Sequence, residues 1–146
     1  MRVNASVLPD PATPFGRRVR ARLRDDTVAW LTTVGSDGTP QPNPVWFLSE
    51  EDGSVLVYNR PDAGRLRHVR TRPRVAVSFD GDGRGGDIVV VTGTAELPEG
   101  LPLPHEHLEY LAKYRDAMAR VAGSPEGFSH AYPVPLRIRP AAVRGH

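Results

Sequence analysis

The sequence predicts a mainly β, α+β fold: an antiparallel barrel of six strands, closed or nearly closed, with flanking helices. Three observations carry this. Short segments alternate apolar and polar side chains with period two, as half-buried strands do. Turn residues, above all glycine, aspartate and proline, separate most of these segments. The helical stretches do not alternate with the strands in a βαβ rhythm, which removes a doubly wound sheet and leaves a meandering, curled one. The 146 residues suffice for one domain with a core of its own. That domain is expected over residues 15–146, behind an irregular arm of residues 1–14.

The arm holds Pro9, Pro11 and Pro14 and shows no period. Residues 15–26 place Phe15, Val19 and Leu23 on one helical face, with arginines between them. The period then changes to two. Residues 28–34 form the first strand, and Asp37-Gly38 turns the chain. The second strand runs over residues 41–48. Pro42 and Pro44 cannot donate to a ladder, so it is expected at an edge, bulged or split near its start. Residues 54–59 complete a three-stranded meander. Asp62 is placed to cap a helix running to about Arg70, with Leu66 and Val69 inward, and Pro73 stops it. Residues 74–79 and 88–97 are the fourth and fifth strands, joined by the hairpin Gly81-Asp82-Gly83-Arg84-Gly85-Gly86. After a proline-rich link, residues 105–121 have helical spacing, with Leu108, Leu111 and Ala112 on one side. Pro125 opens a short further helix. Residues 134–143 are the last strand, where Leu136 and Ile138 alternate with Arg137 and Arg139.

Composition excludes several classes of function. The chain has no cysteine, so disulfide scaffolds, thiolate metal sites and cysteine nucleophiles are ruled out. No apolar run approaches the roughly 20 residues that span a bilayer, and the N-terminus lacks the apolar core of a signal peptide. A cytoplasmic protein without a membrane partner is expected. His105 and His107 stand two apart and share no helix face, so no metal site is expected there. The glycine-rich hairpin joins two strands and opens no helix, so it is not a dinucleotide fingerprint. The formal net charge is only +2, yet residues 60–74 hold six arginines against the single acid Asp62. Residues 27–59 hold four acids and no arginine or lysine. Despite a pI near 9.4, no nucleic-acid motif accompanies the patch, and no nucleic-acid partner is expected.

Two segments can carry chemistry. From Tyr58 and Asn59 the chain leaves a strand, turns through Arg60 and enters a helix at Gly64 and Arg65. A helix start offers unpaired N–H groups, arginine offers a planar fork of donors, and Gly64 lets an anion approach the backbone. The segment is therefore either a phosphate site or a solvated basic helix. In the second, Gln41-Pro42-Asn43-Pro44-Val45-Trp46-Phe47, the prolines leave backbone groups without ladder partners. A planar ligand can lie along such a strand with Val45 or Trp46 flanking its ring. Alternatively, the prolines only guard an edge against aggregation.

Together these stretches resemble the pyridoxamine-5′-phosphate-oxidase-like superfamily of FMN-binding split β-barrels, and within it the actinobacterial branch that uses the deazaflavin coenzyme F420. The resemblance is carried by residues 28–34, Asp37-Gly38-Thr39-Pro40, Pro42 to Phe47, Tyr58-Asn59-Arg60-Pro61, Arg65 to Val69, Pro73-Arg74-Val75, residues 81–87 and Pro135-Leu136-Arg137-Ile138. It implies an oxidoreductase that passes hydride from reduced F420 to an electron-poor small molecule. It implies a homodimer with two cofactor sites at the subunit interface. It places the cofactor ring along Asn43, Pro44, Val45 and Trp46, and the phosphate at Tyr58, Asn59, Arg60 and Arg65, beside the Gly64 already singled out. Relatives often carry lysine where this chain has Arg65. Other branches bind FMN or haem, so an FMN-dependent oxidase or reductase and a non-catalytic flavin- or haem-binding module are the alternatives.

Overall fold

Thr13 and Pro14 start the first helix. The Thr13 hydroxyl accepts the Gly16 N–H at 2.9 Å, and Pro14 takes a position where its missing N–H costs nothing. The computed structural model describes residues 7–146. Residues 1–6 of the expected arm lie outside the described residues. Helix α1 (Pro14–Asp25) buries Val19 and Leu23, the face its spacing predicts.

Seven strands follow: β1 (Ala29–Val34), β2 (Pro40–Val45), β3 (Leu48–Ser49), β4 (Val55–Asn59), β5 (Arg74–Ser78), β6 (Val89–Glu96) and β7 (Val134–Gly145). All pairs are antiparallel, in the order β2-β1-β5-β6-β7-β4-β3. The two edge strands, β2 and β3, are neighbours in the chain, joined by Trp46 and Phe47 alone. Three Cα–Cα steps reach at most about 11 Å. The edges are therefore drawn together at that end, and the sheet curls into a half-barrel. Val55, Val57, Val77, Val89, Val91, Leu136 and Ile138 fill its interior.

The expected second strand, residues 41–48, is thus two strands. Its prolines do put β2 at an edge. The break, however, falls at Trp46–Phe47 and not near the start, and it raises the strand count from six to seven. Nor do the first strands make a meander, since β3 pairs with β4 at the far edge. The cause lies in a helix distant in sequence. Phe47 is fully buried, and its N–H and C=O are taken by side chains: the N–H donates to Tyr114 Oη at 2.9 Å, and Lys113 Nζ donates to the C=O at 3.0 Å. No ladder can form where a helix claims the backbone groups.

Helices α2 (Gly64–Thr71), α3 (Leu108–Ala122) and α4 (Pro125–Ala131) flank the barrel, with a 3₁₀ turn at Pro104–Glu106. The expected cap of α2 is corrected: Ala63 occupies the cap position, no side chain caps it, and Asp62 lies exposed 3.8 Å from Arg60. The expected inner face of α3 is corrected too. Tyr110, Tyr114 and Met118, four residues apart, are the buried ones, and Leu108 is 81% exposed. Aromatic rings bury more surface than leucine, and these pack with Phe128 of α4 over Leu56 and Tyr58. Hence β4 is buried on both faces, one toward the barrel and one toward the helices.

Lys113, the only lysine, also lies 3.9 Å from the centroid of the Phe47 ring. Burial pushes its pKa from 10.5 down to about 8. Between these values the unfolded chain binds a proton that the folded one lacks, so this residue's contribution to stability rises with pH across that window. Lys113→Met removes the effect. We expect its melting temperature, relative to the wild type, to be highest near pH 7.5 and to decline toward pH 9.5, roughly the two sides of the titration.

Candidate functional site

The β2–β3 break and the start of α2 lie beside each other, and two cavities open there. The polar one, about 570 Å³, is walled by the β1–β2 turn, by Gln41 and Asn43 of β2, and by Arg60, Gly64, Arg65, Arg67 and His68. The aromatic one, about 240 Å³, is walled by Pro44, Val45, Trp46, Tyr58, Tyr110, Phe128 and Tyr132, among others. Arg65 lines both.

Arg65 sits in the first turn of α2, where the helix brings it beside the aromatic wall. It is partly buried, and desolvation lowers its pKa. Its Nη1 is buried without a hydrogen-bond partner. An orphaned donor on a charged group is costly, and an anion would relieve it. Gly64 leaves the space above its Cα open, since a Cβ there would meet nothing closer than His68 Nε2 at 3.9 Å. Arg60 is exposed, with its guanidinium 5.5 Å from the Tyr132 ring centroid and 3.8 Å from Asp62. Three cations and an open helix start therefore face one cleft.

Pro40 to Pro44 of β2 are exposed and Val45 is buried. The Trp46 ring stacks on Tyr114 at 5.0 Å and on Phe128 at 5.2 Å, nearly parallel to both. Tyr58 donates to the Pro102 carbonyl at 2.6 Å, and burial pushes its pKa up to about 12. It is a protonated wall residue. Asn59 differs from the other expected site residues. It is 1% exposed, lines neither cavity, and donates through Nδ2 to the carbonyls of Val57 and Val134, tying β4 to β7. Asn43, Arg60 and Gly64 line the polar cavity, while Pro44, Val45, Trp46 and Tyr58 line the aromatic one.

Sequence reasoning missed His68 and the aromatic wall of Tyr110, Phe128 and Tyr132. His68 follows Gly64 by four residues, hence shares its helix face, a signal that was legible. The aromatic residues come from helices far along the chain, and only the Tyr110-Tyr114-Met118 period hinted at them. Among the described residues, no three His, Cys, Asp or Glu side chains group to hold a metal ion. His105 bonds the Ser129 hydroxyl at 2.7 Å, and the His107 ring accepts the Tyr110 N–H at 3.3 Å, capping α3. No helix among them is long and apolar enough to cross a membrane.

No curated protein gives a significant match by sequence. Solved structures do match by shape. An F420 reductase superposes with a TM-score of 0.65 at 23% identity, covering 86% of this chain and 94% of that one. General stress protein 26 of Bacillus anthracis gives 0.63 at 20% identity over 87% and 89%. HutZ, the haem-storage protein of Vibrio cholerae, gives 0.58 at 15% identity over 99% and 95%. At these identities the likeness is one of fold. The sequence profile described as pyridoxamine 5′-phosphate oxidase matches residues 15–145.

Proposed function

Given that the chain belongs to the pyridoxamine 5′-phosphate oxidase family, we propose that it is an oxidoreductase that binds coenzyme F420 across the two cavities and reduces an electron-poor small molecule. The observation that carries this reading is Arg65, a partly buried guanidinium with an unpaired Nη1, standing between a basic cleft and an aromatic pocket. Such a pairing suits a ligand that is planar at one end and anionic at the other.

The residues present fit that group. Arg60 and Arg65 would hold its phosphate, with the open face of Gly64 admitting it to the helix start. Asn43 to Trp46 would border its ring. When bound, the deazaflavin supplies the hydride chemistry, and the protein supplies position and water exclusion. Tyr58 keeps its proton on Pro102 and serves as a wall. F420 is preferred to FMN because the polar cleft, at about 570 Å³, extends past Arg65 to the exposed Arg67, leaving room and charge for an anionic tail. A homodimer belongs to the same reading: Val28 and Trp30 are 42% and 41% exposed beside the exposed edge β2, a surface a second copy can cover.

Fluorescence titration of the purified protein with F420 and with FMN, at low and high salt, tests the reading. We expect selective F420 binding that weakens with salt, because phosphate pairing with arginine is screened, and turnover with a reducible acceptor. Selective FMN binding replaces the cofactor. Binding of neither overturns the proposal.

A further inference from the structure

The aromatic cavity has a second unpartnered donor besides Arg65. Tyr110 of α3 lines it and is 0% exposed, so it belongs to the floor, whereas Val121, 56% exposed, marks the mouth. The Tyr110 hydroxyl is buried, and among the described residues no group bonds to it. The other buried tyrosines of the cluster differ. Tyr58 donates to the Pro102 carbonyl, and the Tyr114 hydroxyl lies 2.7 Å from the Thr27 carbonyl. Packing alone does not call for a hydroxyl on Tyr110, since phenylalanine has the same ring without the cost of burying an unpaired polar group.

The surroundings indicate from which side an acceptor can come. The rings of Tyr58 and Tyr114 pack on Tyr110 with centroids 4.9 Å away, and that of Phe128 at 6.3 Å. A ring face accepts only weakly, so the cavity is the side left for a strong acceptor. Burial, with Tyr114 and Tyr58 nearby, pushes the Tyr110 pKa well up, so the hydroxyl keeps its proton to donate. The walls set the shape of the guest. Trp46 is inclined 10° to Phe128, and Phe128 16° to Tyr132. Such nearly parallel rings suit a flat guest. At about 240 Å³ the cavity falls just under the roughly 300 Å³ where pockets for drug-sized ligands begin, so it takes a single ring or a fused pair.

We propose that the inner end of this pocket recognises a planar conjugated ring by a carbonyl oxygen at its leading edge, which accepts a hydrogen bond from Tyr110 Oη. The ring belongs either to the cofactor itself or to the molecule it reduces, and the recognising chemistry is the same. The inference rests on the reading of the cavity as the seat of a planar group and adds the atom that the seat selects.

Acetophenone and α-methylstyrene are suitable probes, because they share a shape and differ in one carbonyl oxygen. Binding is followed by the methyl NMR shifts of Val45 and Val121. The wild-type protein should prefer the ketone about fivefold, the net gain of one hydrogen bond. Tyr110→Phe should bind both probes alike. Its melting temperature should equal or exceed that of the wild type, since it loses only an unpaired hydroxyl. Repeating the ketone titration on protein saturated with F420 separates the two sources. Undiminished binding assigns the pocket to the reduced molecule, and competition assigns it to the ring of the cofactor. A ketone preference that persists in the absence of F420 binding upholds the inference and overturns the cofactor reading. Equal binding of both probes to the wild type, a preference that survives in Tyr110→Phe, binding of neither probe, or a Tyr110→Phe variant that melts several degrees lower overturns the inference and leaves the cofactor reading standing.

Discussion

Arg65→Ala is expected to weaken F420 binding about 10- to 100-fold, the loss that follows from removing a charge-assisted hydrogen bond. The same substitution should leave the melting temperature of the ligand-free protein unchanged or slightly raised. The reason is the orphaned Nη1: without an anion, Arg65 is a partly buried charge with an unpaired donor, and removing it removes a cost. A residue kept for packing would behave in the opposite way, with stability falling and affinity following it. Titration and thermal melts on one preparation separate the two. Arg65→Lys should fall between, because lysine keeps the charge and loses the fork. Arg60→Ala should cost less, since Arg60 is exposed and water screens its pairing. Equal affinities of wild type and Arg65→Ala would remove the phosphate assignment.

Tyr114→Phe is expected to lower stability by about 1–3 kcal/mol. In a chain of this size that is about 3–9 °C in melting temperature. The Tyr114 hydroxyl accepts the buried Phe47 N–H at 2.9 Å and lies 2.7 Å from the Thr27 carbonyl and 2.9 Å from that of Phe47. Phenylalanine fills the same space and leaves the Phe47 N–H buried and unpaired. Thermal melts measure the loss. Trp46, next to Phe47 and stacked on Tyr114, should loosen with it, so F420 affinity should fall as well. A Tyr114→Phe variant as stable as the wild type would show that the break in the strand is held by packing alone.

The strands and their inner faces were legible because period two is a local property: Leu136 and Ile138 declare their face within a few residues. That Arg60, Gly64 and Arg65 line one cleft was legible for the same reason, since they lie in one short segment. What escaped the sequence is what depends on partners distant along the chain. Nothing near Phe47 says that Tyr114, 67 residues away, takes its N–H, so the prolines suggested a split in the strand and its place at Trp46–Phe47 was invisible. Nor does the sequence around Asn59 disclose its bond to Val134, 75 residues on, which ties β4 to β7. The buried face of α3 was misassigned because leucine and tyrosine offer competing stripes on one helix, and only the neighbours Leu56, Tyr58 and Phe128 decide between them.

The strand order bears on how the chain can fold while it is being made. The last strand of the seven, β7, lies inside the sheet, with β6 on one side and β4 on the other. Until it emerges from the ribosome, β2-β1-β5-β6 and the β4–β3 pair are separate pieces with no hydrogen-bonded seam between them. The interior row of Leu136 and Ile138 is also missing. Two edges therefore stay open until β7 docks, and that strand closes both at once. While β7 is unpaired, both of those edges are open to aggregation.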